Sequence, residues 1–224
     1  MAGCKWCGKS GWLLRISANG MCDTCEATEI PVIVHRVKAI QEAQDMLGSS
    51  KVFETRVQKC EEIVGNAEDL LPYELKGITV VEPSAAEMRS AYEAEREKIV
   101  VDHFRAETER ILARAGLLPT PQGMIAEATQ ALIKIDEARR DYGVDDPGLH
   151  ESEHQVRRFI QTTQLRSNLE EARKEEFKGN REGALERYRE ALFFLTTEGT
   201  DHELRRENAG EIEERIRQLQ DERE

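Results

Sequence analysis

The chain has 224 residues and a formal net charge of −12, with 39% hydrophobic, 34% charged and only 5% aromatic residues. This length allows one or two domains with a buried core, and the composition predicts a mostly α fold built from amphipathic helices. The excess of acidic residues lies beyond residue 30, in the part of the chain expected to be helical. These negative charges would repel a phosphate backbone, which excludes nonspecific binding of nucleic acid by the helices.

The first predicted element is a metal-binding segment. Cys4-Lys5-Trp6-Cys7 and Cys22-Asp23-Thr24-Cys25 are two CxxC pairs with fourteen residues between them. A two-residue gap lets both thiolates of a pair turn toward one point, and two pairs joined by a short hairpin can bring four sulfurs into a tetrahedral Zn²⁺ site. Between the pairs, residues 12–16 are expected to form a strand and residues 18–20 a turn.

This pattern resembles a zinc ribbon. The resemblance covers residues 1–30 and implies that one structural Zn²⁺ ion is bound by four ligands: Cys4, Cys7, Cys22 and Cys25. Iron is the alternative, because two CxxC knuckles also hold the iron site of rubredoxin. Rubredoxins surround that site with a compact aromatic sheet, whereas a helical sequence follows Cys25 here, which favours zinc.

Both tryptophans of the chain lie in this segment beside basic residues. Trp6, Lys9 and Arg15 are candidate partner contacts, since a ring next to cations can dock a peptide or stack on a nucleic acid base. Nucleic acid contact is expected through this segment only. Trp12 is expected to pack the small core of the segment, and Trp6 could equally shield the metal or meet the first helix.

Residues 3–10 also match GxxxxGK[ST], the pattern of a phosphate-binding loop. Such a loop needs a buried strand before its first glycine and a helix after its Lys-Ser pair. Only two residues precede Gly3, and residues 12–16 are expected to be extended. The context therefore argues against a nucleotide site.

After residue 30, apolar residues recur at helical spacing. This pattern predicts antiparallel helical hairpins. The first helix is expected to start at Pro31 and stop at Gly48, and the second is expected to end at Pro72, followed by an extended connector. Cys60 falls on the apolar face of the second helix, which predicts a buried side chain rather than a reactive thiol. Later helix starts are predicted at four capping residues: Ser84, Thr120, Asp146 and Asp201.

Residues 168–195 resemble one tetratricopeptide repeat. Gly179-Asn180 match the tight turn of the repeat, and four further residues match its small and aromatic packing positions: Ala172, Ala184, Tyr188 and Ala191. Three positions depart from the pattern: Asn168, Glu175 and Thr196.

One such unit cannot bury its faces alone, so neighbouring helices are expected to pack on it. The resemblance implies a concave protein-binding side on which Arg173 and Lys174 face a partner.

His150-Glu151-Ser152-Glu153-His154 matches HExxH, a motif that supplies two zinc ligands and a general base in metalloproteases. Metalloprotease helices bury this motif among uncharged residues, whereas its surroundings here are polar. We therefore expect no enzymatic activity from it.

Three segments are predicted: a zinc ribbon at 1–30, a helical domain at 31–145, and a tetratricopeptide-like hairpin with a closing helix at 146–224. The expected function is a non-catalytic adaptor that binds a protein partner through the zinc ribbon and helical repeat. The alternative is a zinc-ribbon regulatory factor associated with nucleic acid, whose acidic helices bind a protein. The clustered cysteines and the lack of a spanning run or signal peptide predict a cytoplasmic protein without a membrane partner.

Overall fold

A computed structural model describes residues 3–197 and 199–221 and confirms the mostly α fold. The described residues form seven α-helices and no β-strand. None of these helices is long and apolar enough to cross a membrane. The helices are α1 Asp23–Ser49, α2 Phe53–Leu75, α3 Ala85–Ala115, α4 Pro121–Tyr142, α5 Pro147–Phe177, α6 Arg181–Thr196 and α7 His202–Asp221.

The chain divides into two compact units, Met1–His103 and Phe104–Glu224, and the division falls within α3. The first unit contains the cysteine-rich segment with α1 and α2. The second contains α4 to α7. The three segments expected from the sequence stay a prediction.

Side chains at the predicted positions begin four of the helices. At α3, the Glu87 carboxylate accepts a hydrogen bond from the Ser84 N–H at 3.0 Å, and the Ser84 hydroxyl accepts one from the Glu87 N–H at 3.3 Å. At α4, the Thr120 hydroxyl accepts from the Gly123 N–H at 3.2 Å. These bonds satisfy N–H groups that have no partner within the helix. Two carboxylates cap the N–H groups of α5 and α7 in the same way: Asp146 and Asp201.

Two prolines lie inside helices rather than at their ends. α1 begins at Asp23, well before Pro31, and α2 continues past Pro72 to Leu75. The predicted start at Pro31 and the predicted end at Pro72 are therefore wrong. Proline removes one backbone hydrogen bond from a helix, and the packing of α1 against α2 supports the turns on either side of it.

The predicted strand at residues 12–16 does not form. The described N-terminal residues contain only two isolated antiparallel bridges, Gly3–Ser10 and Ile16–Cys22. The Leu14 N–H donates to the Gly11 carbonyl at 3.2 Å, so a tight turn occupies this stretch. Trp12 is 86% exposed, which shows that its predicted core packing is wrong. A single extended segment has no second strand with which its backbone groups could form hydrogen bonds.

α1 and α2 form the predicted hairpin of the first unit. Their shared core contains six buried side chains: Ile33, Ile40, Ala43, Ile63, Ala67 and Leu70. Cys60 of α2 is fully buried, as predicted. At the edge of this interface, the Arg36 guanidinium of α1 lies 3.0 Å from the Asp69 carboxylate of α2.

α5 and α6 form a second hairpin, which α7 closes. The turn places Gly179 at φ +74°, where glycine is favoured, and the Asn180 side chain accepts from the Gly183 N–H at 3.1 Å. Three leucine and isoleucine side chains of α7 complete the core: Leu204, Ile212 and Leu219. The matched small and aromatic residues are buried between the helices: Ala172, Ala184, Tyr188 and Ala191. Membership of the tetratricopeptide family stays a prediction.

We expect Ala184→Glu to destabilise the second unit, because Ala184 is fully buried in the α5–α6 interface and offers no room or partner for a carboxylate. The expected loss is about 2–4 kcal/mol, measured by thermal or urea unfolding followed by circular dichroism. Phe193→Glu is the matched control, since it adds the same group to the same helix at a side chain that is 74% exposed. Equal stability of the two variants would show that Ala184 does not lie in the interface.

Candidate metal centre

The first CxxC pair lies in a tight knuckle. The Gly8 N–H donates to the Cys4 carbonyl at 2.9 Å, and the Cys4 N–H donates to the Lys9 carbonyl at 2.9 Å. Gly8 has φ +73°, a conformation that favours glycine. No helix follows Ser10 before α1 in this described stretch, so residues 3–10 do not form the loop-to-helix geometry that a phosphate-binding loop requires.

The second CxxC pair lies at the start of α1. Cys22 is the N-cap residue, and Cys25 lies in the first helical turn. The Glu26 N–H donates to the Cys22 carbonyl at 2.8 Å, and the Ser17 N–H donates to the Met21 carbonyl at 2.8 Å. Residues three apart at a helix start lie on one side of it, so this turn directs both thiols to the same point.

The four thiols converge. The sulfurs of Cys4, Cys7, Cys22 and Cys25 all lie within 4.8 Å of one another, and Cys7 Sγ is 3.9 Å from Cys22 Sγ. In a tetrahedral Zn²⁺ site with Zn–S bonds of about 2.3 Å, the sulfurs are about 3.8 Å apart. The cluster is therefore close to the size that a metal ion requires. It is the one group of candidate metal ligands found in residues 3–197 and 199–221.

Backbone N–H groups make the cluster electrostatically asymmetric. Hydrogen bonding from the Cys7 backbone lowers the pKa of Cys4 to about 6 against the opposing effect of burial, and the Cys22 N–H, 3.2 Å from Cys4 Sγ, adds to the shift. Burial, followed by hydrogen bonding with the other sulfurs, raises the pKa of the Cys25 thiol to about 12. A metal can thus meet a thiolate at Cys4 but must displace the proton of Cys25.

Trp6 and Lys5 anchor this segment to the end of α2. The Trp6 ring stacks on Tyr73 with centroids 4.4 Å apart, and Lys76 Nζ lies 3.9 Å from the Trp6 ring centroid while donating to the Trp6 carbonyl at 2.7 Å. Lys5 Nζ donates to the Gly77 carbonyl at 2.5 Å. The Trp6 ring therefore has an internal contact, and its contact with a partner stays a prediction.

Tyr73 and Lys76 were not predicted from the sequence to support the metal segment. They lie far from Trp6 along the chain, and Tyr73 has no local pattern that sets it apart from other apolar helix positions. Burial, followed by the hydrogen bond that its hydroxyl donates to Glu29 Oε2 at 2.7 Å, raises the pKa of Tyr73 to about 12. This hydroxyl links α2 back to α1 beside the cysteines.

The remaining basic candidates lie at the surface. Lys9 and Arg15 are exposed on the loop between the knuckles. Arg173 lines a groove of about 550 Å³, whereas Lys174, although exposed, lies outside its lining. Residues of α5, α6 and α7 complete this lining: Leu169, Glu176, Tyr188, Asn208, Glu211, Ile212, Glu214, Arg215 and Gln218.

The histidines of the HExxH motif have separate partners. His150 Nε2 lies 2.9 Å from the Asp145 carboxylate, and His154 Nε2 lies 2.9 Å from Asp201. Glu153 pairs with Arg139 at 2.7 Å. The structure gives these side chains no common ligand geometry in the described part of the chain.

No known protein family, curated protein or solved structure matches this chain.

We expect Cys22→Ser to release the bound metal and unfold the segment before α1, because so short a segment has too little core to fold alone. The first turns of α1 should unfold with it, since Cys22 caps that helix. Most of the helical circular dichroism should remain. Metal analysis should give one zinc per wild-type chain and none in the variant.

Cys60→Ala is the control for this prediction, because Cys60 is buried in α2 outside the cysteine cluster. It should retain the metal. Iron in the wild-type protein, or no metal after anaerobic purification, would contradict the prediction of zinc.

Metal binding should weaken as the pH falls. Protons compete with the metal for thiolates, and the raised pKa of Cys25 means that at least one proton leaves on binding. We expect the apparent affinity to fall by at least about tenfold per pH unit below neutrality, measured by competition with a chelator whose own protonation is corrected for. An affinity that does not change with pH would show that binding displaces no thiol proton.

Proposed function

We propose that this chain is a non-catalytic adaptor whose N-terminal segment is organised by one structural Zn²⁺ ion and whose α5–α7 bundle binds a protein partner. The observation that carries this proposal is the convergence of four thiols within 4.8 Å. Four protein ligands complete the coordination of zinc and leave no position for a substrate or a reactive water, which is typical of structural rather than catalytic sites.

Zinc fits this donor set better than iron. The proposed ligands are Cys4, Cys7, Cys22 and Cys25, and Zn²⁺ would neutralise the repulsion among their thiolates and cross-link the two knuckles. The Cys22 N–H directed at Cys4 Sγ supports a metal-bound thiolate, since such bonds stabilise negative charge on sulfur. A helix begins at the second knuckle and no aromatic sheet forms in the described N-terminal residues, which separates this site from that of rubredoxin.

The groove of the α5–α7 bundle is the proposed partner site. Its floor includes the buried Tyr188, and its walls combine apolar side chains with charged ones. Arg215 is held by Glu176 through two bonds of 2.8 and 2.9 Å. Arg173 is more available, because its side chain is 63% exposed and its contact with Glu211 is a weak one at 4.0 Å. Arg173 is thus the cation best placed to meet an incoming partner.

The competing function is a zinc-ribbon factor associated with nucleic acid. Its support is the absence of any acidic residue from positions 3–22, which contain Lys5, Lys9 and Arg15. Lys5 is already engaged with Gly77, so two cations remain for phosphate. Affinity for nucleic acid grows with the number of neutralised phosphates, and a net charge of −12 opposes it. We therefore favour the protein adaptor.

We expect Arg173→Glu to reduce capture of a protein partner without changing thermal stability, because the lost ion pair is exposed and weak. Arg206→Glu is the matched control, since it makes the same substitution at an exposed arginine of the same bundle outside the groove. Quantitative affinity capture with the tagged full chain would compare the two variants at low and high salt. Equal capture by Arg173→Glu and wild type would make the α5–α7 bundle a scaffold and remove the groove from the proposal.

A further inference from the structure

The loop between the two knuckles exposes an apolar pair. Trp12 is 86% exposed and Leu13 is 75% exposed. They occupy the central positions of the turn that the Leu14 N–H closes onto the Gly11 carbonyl. We call residues 9–15 the Trp12 loop. Single exposed apolar side chains are common on proteins, but an adjacent Trp-Leu pair at the tip of a turn indicates an interaction surface.

The ends of the Trp12 loop are fixed. An antiparallel bridge joins Gly3 to Ser10 before the turn, and another joins Ile16 to Cys22 after it. Leu14 and Ile16 pack against the core of the first unit. The turn is therefore presented by a braced segment, and little conformational entropy is lost when a partner binds it.

The charged side chains of the Trp12 loop are opposite in sign to the net charge of the chain. Residues 3–22 contain no acidic residue, whereas the whole chain contains 44. Lys9 and Arg15 are exposed on the two sides of the turn, and neither forms an ion pair with a described residue. An acidic ligand would thus find two available cations beside an apolar pair.

We propose that the Trp12 loop binds an acidic peptide segment of a partner protein. Apolar side chains of the peptide pack on Trp12 and Leu13, while its carboxylates lie near Lys9 and Arg15. This inference rests on the proposed adaptor function and names the chemistry of one partner.

A short peptide fits better than a larger polyanion. A nucleic acid or an anionic bilayer extends beyond the loop and meets the field of a chain with net charge −12. A peptide of a few residues contacts only the basic tip. Leu13 also favours a peptide, since a leucine side chain packs on apolar residues but offers no aromatic face for base stacking.

The experiment uses the full zinc-loaded chain to select binders from a display library of short random peptides. We expect the selected peptides to combine Asp or Glu with aromatic or aliphatic residues. Their affinity, measured by fluorescence polarisation, should fall at least about tenfold for Trp12→Ala, because tryptophan commonly dominates binding energy at such surfaces. Arg15→Glu should weaken binding most at low salt, where exposed charges are least screened.

Two controls test whether these effects belong to the loop. Leu117→Ala removes another leucine that is 85% exposed, and Arg206→Glu reverses another exposed cation. Both variants should bind as wild type does. Trp12→Ala should also retain the zinc and the melting temperature of wild type, since its side chain leaves no cavity in the core.

Four results would overturn the proposal. The first is selection of basic or uncharged peptides, and the second is equal peptide binding by Trp12→Ala and wild type. The third is that oligonucleotides or phosphatidylserine vesicles bind in a way that depends on Trp12 while no peptide binds in that way. The fourth is self-association of the chain that Trp12→Ala abolishes. Each peptide is also tested against Arg173→Glu. Peptides that depend on Arg173 but not on Trp12 would reject the loop while leaving the adaptor function intact.

Discussion

The N-terminal segment and the start of α1 depend on holding four thiol groups within 4.8 Å of one another. Such thiols cannot all ionise together without strong repulsion, and a bound cation removes that repulsion. Cys22 and Cys25 also form the start of α1, so the residues whose sulfurs converge also fix where this helix begins. Met21 and Cys22 belong to the same core as α1 and α2. The cysteine-rich segment and the first hairpin are therefore parts of one packed structure.

In the α5–α7 bundle, small side chains rather than clustered thiols bring the elements close together. Alanines at the helix interfaces, such as Ala172 and Ala184, are fully buried and let the backbones pack closely. Tyr188 fills the larger space beside them, and burial, followed by the nearby Glu176 carboxylate, raises the pKa of its hydroxyl. No cysteine lies in this bundle. Its stability should therefore be independent of metal, whereas that of the first unit should not.

Helix caps, the metal-ligand spacing and the pairing of successive helices could be predicted from the sequence, whereas single contacts between segments distant along the chain could not. The caps at Ser84 and Thr120 were predictable because one side chain satisfies an N–H group a few residues away. The convergence of the cysteines followed from their CxxC spacing. The start of α1 was missed because the knuckle, rather than Pro31, determines it. The stacking of Trp6 on α2 was missed because nothing near Trp6 in the sequence specifies a ring that is distant along the chain.

The exposure of Trp12 is informative because the sequence predicted that this side chain would be buried. From the sequence, Trp12 was expected to exclude water from a small core, because such a core needs large side chains. In the structure that task falls to fully buried Met21 and to Trp6, which packs against the core. The Trp12 side chain lies outside this core, although a large exposed aromatic ring lowers solubility and favours association. A residue of this kind, at the tip of a braced basic turn on an acidic chain, is best explained by a partner that covers it.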